Sequence, residues 1–215
     1  MLEKMDAFFE ARLAGYDDHM LTEIEGAAEF YPATAALLPE ASGAKVLDLG
    51  CGTGLELQFY FDENPTAKVT GIDLSAAMLG ALKEKFPGKE LQLVQGSYFE
   101  VALGDGYDAA VSVESLHHFT QEQKTGLYAK LHAALKDGGY FVLTDYFAPD
   151  DAYEQFYFDE LHRLKAEQGI AGDAFYHYDT PLTVAHETQA LLDAGFSRVE
   201  EIRCWGATHI LKAYK

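Results

Sequence analysis

The stretch Val46–Gly54, VLDLGCGTG, constrains this chain more than any other. An apolar run ends in an acid, and Gly50, Gly52 and Gly54 follow at once. Glycines here let the backbone turn tightly from strand to helix and let a ligand approach the main chain. The spacing is one residue shorter than the G-x-G-x-x-G dinucleotide fingerprint. Asp48, two residues before the loop, would repel a phosphate. The loop therefore suits a ligand that bears positive charge and no phosphate at this point, which argues against a nicotinamide dinucleotide.

Downstream the chain alternates. KVLDLG predicts a first strand and Leu55 to about Asp62 a helix. KVTGIDL (68–74) is a second strand, and Ser75 caps a helix over 75–86. LQLVQ (91–95) and YDAAVSV (107–113) are further strands. Thr120 and Gln123 have the capping-box spacing, opening a helix that stops at Gly138. GYFVLTDYF (139–147) is a fifth strand. Thr180-Pro181 opens a helix running to Ala194, with proline at its first position. RVEEIRCW and THILKAYK are separated only by Gly206 and Ala207, a connection short enough to force an antiparallel hairpin. The pattern predicts a doubly wound α/β fold: a seven-stranded, mostly parallel sheet with an antiparallel C-terminal hairpin and a helical N-terminal extension. The chain reads as one domain over 1–215. It comprises an N-terminal helical lid (1–41), a ligand-binding core (42–147), an inserted aromatic lid (148–180) and a closing helix and hairpin (181–215).

Charge narrows the partners. The net charge of -19 is spread as -7 over residues 1–41, -7 over 42–150 and -5 over 151–215. No segment has the basic footprint that phosphates demand, so direct nucleic-acid binding is not expected. No apolar run reaches the roughly 18 residues of a membrane span, and the first ten residues lack a signal core. Cys51 and Cys204 read as reduced thiols of a cytoplasmic protein. The aromatics of 153–158 are a candidate homodimer contact.

The second-strand acid, Asp73, stands where doubly wound folds hold a ribose diol, though a helix cap would use the same residue. At these residues the chain resembles the class I S-adenosylmethionine (SAM)-dependent methyltransferases. VLDLGCGTG, GIDLS, YDAAVSVESLHHF, LKDGGYFVLTDY and the closing RVEEIRCWGATHILKAYK match that family's motifs in order, over about residues 42–215. The resemblance implies a Rossmann-like methyltransferase fold, SAM as cofactor, S-adenosylhomocysteine (SAH) as product and a small-molecule acceptor. It implies that Gly50, Cys51, Gly52, Thr53 and Gly54 line the methionine part of SAM, with Asp48 marking a site for its cation. Asp73 would hold the ribose, Leu74 and Met78 would flank the adenine, and Gly96, Ser97 and Tyr98 would reach its edge. Many relatives carry Asp where Ser97 stands. Glu114 and Ser115 would border the methyl group. Arg12, Tyr16 and Tyr31 would close over SAM from one side, and Tyr176 and His177 from the other.

His117 and His118 are the candidate bases, with Tyr146 beside them; the alternative for either histidine is packing or capping. No metal site is expected, because adjacent histidines rarely face one ion and the cysteines lack CxxC partners. The N-terminal layout and the ending TPLTVAHETQALLDAGF are also similar to carboxy-SAM synthase, but no arginine lies between Arg163 and Arg198 to hold an added carboxylate. A SAM-binding protein without catalysis is the other alternative.

Overall fold

The computed structural model describes residues 1–171 and 175–215. Seven strands form one sheet: β1 (Lys45–Leu49), β2 (Lys68–Asp73), β3 (Glu90–Gln95), β4 (Tyr107–Val113), β5 (Leu135–Tyr146), β6 (Arg198–Trp205) and β7 (Thr208–Tyr214). Their order is β3-β2-β1-β4-β5-β7-β6. The first five are parallel, while β7 runs antiparallel to both β5 and β6. The expected fold class is the observed one. The central strands β1 and β4 are almost wholly buried, as expected for strands covered on both faces.

Eight helices surround the sheet among the described residues. The N-terminal segment holds α1 (Met5–Arg12), α2 (Tyr16–Glu23) and α3 (Ala27–Ala35); α4 (Leu55–Glu63) and α5 (Ala76–Lys85) follow β1 and β2. Between β4 and β5 lies α6 (Gln121–Ala134), between β5 and β6 lie α7 (Asp151–Glu167) and α8 (Val184–Asp193). Ser75 caps α5, accepting from Met78 N at 3.2 Å, and Thr120 with Gln123 forms the complete capping box of α6.

Two boundaries differ from the sequence expectation. The closing helix begins at Val184, capped by Thr183, not at Pro181. Residues before it are held extended: Ala148 N donates to Leu182 O at 2.9 Å, and Thr183 N to Glu154 Oε2 at 2.7 Å. Helix α6 ends at Ala134 rather than Gly138, because Leu135 already pairs with Tyr107 of β4. The expected insert, 148–180, contains α7; residues 172–174 of it lie outside the described residues.

The two helices α6 and α8 are joined by a buried ion pair. Lys124 Nζ sits 2.5 Å from Glu187 Oε2, and Tyr128 Oη donates to the same carboxylate. All three side chains are essentially solvent-free. Removing one partner would leave an uncompensated charge in the core. No described helix is long and apolar enough to cross a membrane.

Candidate active site

Strand order reverses between β1 and β4, and in open α/β sheets the crevice beyond the strands' carboxyl ends at such a point receives ligands. Both loops there carry sequence-predicted residues. After β1, Gly50 has φ +73, and a Cβ on it would lie 2.0 Å from Ser115 Oγ, so the residue following β4 fills the space a side chain would need. Asp73, at the end of β2, accepts from Gly52 N at 2.9 Å and Ser75 N at 2.8 Å. It both orders the glycine loop and starts α5. Burial raises its pKa, and these amide bonds oppose the rise.

A narrow cleft of about 50 Å³ lies against this loop. Of the residues singled out from sequence, Gly50, Gly52, Asp73, Leu74, Met78, Tyr98, Glu114, Ser115, Tyr16 and His118 line it. Met5, Asp6 and Phe9 of α1 line it too, and sequence reasoning did not find them. Their signal was absent because α1 reaches the cleft only through tertiary pairing. Met5 N donates to Phe175 O at 3.1 Å, and His177 N to Glu3 O at 3.0 Å.

Other predicted residues sit behind the cleft. Cys51 is buried beneath the loop, its Sγ occupying the space beside Gly71. Thr53 Oγ1 donates to Asp17 of α2 at 2.5 Å. Gly54 packs near Leu57, Leu82 and Phe86. Ser97 Oγ accepts from Phe99 N at 3.2 Å and orders its own turn, and Gly96 directs its missing Cβ toward Val101. Tyr31 is buried at 3% exposure among core residues. None of these six lines the cleft.

Asp48 is also interior, 1% exposed, and does not line it. Its neighbour is Glu56 of α4, a residue sequence reasoning missed. Asp48 Oδ2 and Glu56 Oε1 are both buried without a hydrogen-bond partner. Burial first, then the other carboxyl, pushes Asp48 well up, and burial raises Glu56. Two adjacent carboxyls in a dry interior cannot both ionise cheaply, so each raises the cost of charging the other.

The loop after β4 holds a cluster of titratable groups. Glu114 has φ +49, a left-handed conformation costly for a non-glycine residue. Burial and then Asp145 push its pKa up to about 7, against His117 and a 3.1 Å hydrogen bond from Thr208 Oγ1. His117 Nδ1 lies 2.5 Å from Asp145 Oδ1, at the end of β5. Burial alone would lower the imidazole pKa, but Asp145, with help from Asp179, raises it well above the ordinary value. The same Asp145 accepts from Leu116 N through its other oxygen at 2.8 Å.

His118 differs. Its Nδ1 lies 3.1 Å from Tyr178 O, so that nitrogen carries the proton and donates. Burial and the neighbouring charge on His117 lower its pKa, leaving it neutral. Both histidines converge on Asp179: Oδ1 is 3.3 Å from His118 Nδ1 and 3.5 Å from His117 Nε2, without a well-formed hydrogen bond. The adjacent rings thus meet one carboxylate. Because Tyr178 O engages His118 Nδ1, the cluster reads as a hydrogen-bond network. Asp145 and Asp179 were not singled out from sequence; they lie 28 and 62 residues beyond His117, with no local spacing to reveal them.

A second, larger cavity of about 790 Å³ adjoins the cleft. The two share Phe9, Tyr16, Glu114 and His118. His117, His177, Asp179 and Tyr146 line the larger one, as does Arg12, whose guanidinium lies over Phe8 and pairs with Glu3 at 3.3 Å. Tyr146 Oη is 2.5 Å from Tyr153 Oη. Tyr176 pairs in an antiparallel bridge with Lys4 instead of lining either space.

Comparison with known proteins agrees with this architecture. Residues 46–139 match the methyltransferase-domain family. An uncharacterized methyltransferase of Synechocystis is 31% identical, covering 60% of this chain and 59% of its own length. A carboxy-S-adenosyl-L-methionine synthase of Campylobacter concisus is 27% identical, covering 84% of this chain and 80% of its own. A solved Nostoc punctiforme protein assigned as an O-methyltransferase superposes with a TM-score of 0.72 at 25% identity, over 96% of this chain and 60% of that one. This chain therefore spans about three fifths of the first and third of these relatives. Fold, glycine loop and matches together define the class: residues 46–139 match the methyltransferase-domain family, and they sit in the fold shared with the solved protein assigned as an O-methyltransferase.

Proposed function

We propose that this chain transfers the methyl group of SAM to a small molecule bound in the 790 Å³ cavity, with the His117–Asp145 pair handling the acceptor's proton. The observation that carries this reading is the junction of cleft and cavity at Glu114 and His118. Bound SAM supplies a methyl carbon already activated by its sulfonium. Gly50, Gly52 and Ser115 would receive its methionine part, Asp73 its ribose, and Leu74, Met78 and Tyr98 its adenine. The fit rests on the side-chain-free loop and on a carboxylate that lines the cleft. Asp48, Cys51, Thr53 and Gly54 would act from beneath, by shaping the loop.

The protein's own work is alignment and exclusion of water. The cleft is narrow because α1 lies across it, so α1 must move for a nucleoside to enter. Arg12, Tyr16, Tyr176 and His177 belong to the paired segments that would then close again. Within the cavity, the neutral form of His117, reached as pH rises, takes at Nε2 the proton lost by an oxygen or nitrogen acceptor, while Asp145 fixes the imidazole's tautomer and offsets its charge. His118, neutral and held by Tyr178, would position the acceptor, and Tyr146 would border it.

The test is calorimetric titration with SAM, followed by an acceptor screen read by mass spectrometry. Binding that collapses in Asp73→Ala supports the cofactor site; a folded, ligand-free protein that ignores SAM removes the reading. Tight SAM binding with no transfer to any acceptor would favour a non-catalytic binder.

The likeness to carboxy-SAM synthases extends over most of the chain and offers a second reading. The cavity speaks against it. Among the described lining residues the guanidinium is Arg12, already paired with Glu3, and no arginine lies between Arg163 and Arg198. A product mass heavier by a carboxylate would reverse this preference. Two unpaired cysteines, Cys51 and Cys204, fit a cytoplasmic setting. Phe156, 59% exposed on α7, is the proposed centre of a homodimer contact, which sedimentation of Phe156→Glu against the parent tests.

A further inference from the structure

The larger cavity has an electrostatic character that the methyltransferase-domain match does not dictate. Asp179 lines it with a side chain 46% exposed; its buried Oδ1 is turned to His117 Nε2 at 3.5 Å and His118 Nδ1 at 3.3 Å, with no well-formed hydrogen bond among the described residues. The cationic neighbour it faces is His117, and that imidazolium is already neutralised by the fully buried Asp145 at 2.5 Å. His118 and His177 are both held neutral, chiefly by burial. Arg12 is turned to Glu3. Glu23 and Glu25 line the same cavity and add negative charge. The walls include Tyr16 and Trp205, whose ring faces attract cations.

From this juxtaposition we infer that the acceptor carries a cationic amine, and that Asp179 is the residue that selects it. The inference rests on reading the cavity as the acceptor site. An ammonium group would meet the accessible face of the Asp179 carboxylate, whose other oxygen is turned to the histidines, and aromatic faces in one move. A carboxylate or phosphate would meet Asp179, Glu23 and Glu25, with Arg12 turned to Glu3 and the His117 imidazolium to Asp145. Asp179 also supplies the counter-charge that a cationic acceptor needs beside a cationic cofactor. Its role is recognition and positioning. It stands on the segment after α7, whose residues 175–177 pair with residues 3–5, so charge recognition and closure of the site share one segment.

The experiment uses the whole chain saturated with SAH and three probes of similar apolar size: phenethylamine, 2-phenylethanol and 3-phenylpropionate. Titration calorimetry is expected to show the amine binding about tenfold more tightly than the alcohol, with the propionate weakest. The preference should shrink as salt rises. Asp179→Asn should reduce amine affinity to that of the alcohol and leave SAH affinity unchanged, while Asp179→Glu should keep the preference. Equal amine and alcohol affinities, a favoured propionate, a preference that survives in Asp179→Asn, or no amine binding to the SAH complex would each overturn the inference. Failure of SAH itself to bind would instead sink the methyltransferase reading on which it stands.

Discussion

Asp145 grips His117 and the loop that carries it with one carboxylate: Oδ1 lies 2.5 Å from His117 Nδ1, and Oδ2 accepts from Leu116 N at 2.8 Å. The end of β5 thereby sets both the position and the protonation of the histidine after β4. In the protonated form His117 cannot accept a proton, and its pKa is raised. Activity on an acceptor that must lose a proton should therefore rise with pH through an ionisation above the ordinary histidine range. Asp145→Asn should move that limb to lower pH and slow the plateau. A pH–rate profile of both proteins checks this. His117→Ala should lose about 10²–10⁴-fold on such an acceptor.

Gly50 and Gly52 should respond differently to alanine. At Gly50 a Cβ would collide with Ser115 Oγ at 2.0 Å, whereas at Gly52 nothing lies within 4 Å. Both have positive φ, so each substitution costs about 1–2 kcal/mol in backbone strain. Gly50→Ala should cost stability beyond that, and Gly50→Ala/Ser115→Gly should recover the excess. Gly52→Ala should fold but bind SAM poorly, since its methyl group enters the cleft. Thermal melts with and without SAM separate the two.

Lys124→Met should destabilise the fold by about 3–5 kcal/mol, because Glu187 would be left in the core without its counter-charge, held by Tyr128 alone. The double variant Lys124→Met/Glu187→Leu should recover much of the loss. Urea denaturation of the three proteins gives the coupling.

Removing residues 1–12 should open the cleft. Those residues bring Met5 and Phe9 against the glycine loop and tie it to Phe175 and His177. The truncated chain should bind SAM with a faster association rate and a still faster dissociation rate. Stopped-flow tryptophan fluorescence, with Trp205 as reporter in the neighbouring cavity, measures both. Unchanged rates would mean that α1 does not gate entry.

Local chemistry explains what could be read in advance. The glycine loop, Asp73, the caps Ser75 and Thr120, and the two-residue link at Gly206–Ala207 act within a few residues, so their spacing predicts strand, turn and helix directly. The errors at Pro181 and Gly138 arose where distant pairing overrode a good local signal: Ala148 holds Leu182, and Tyr107 holds Leu135. By itself the sequence determined the alternation, the sheet's antiparallel close and the place of the ligand loop. Only the tertiary structure decided which residues line the cleft and the cavity. It buried Asp48 against Glu56, chose His117 by setting Asp145 behind it, and brought Asp179 across from another segment. Burial and charge pairing between residues far apart in sequence control those outcomes, and neither leaves a periodic mark on the chain.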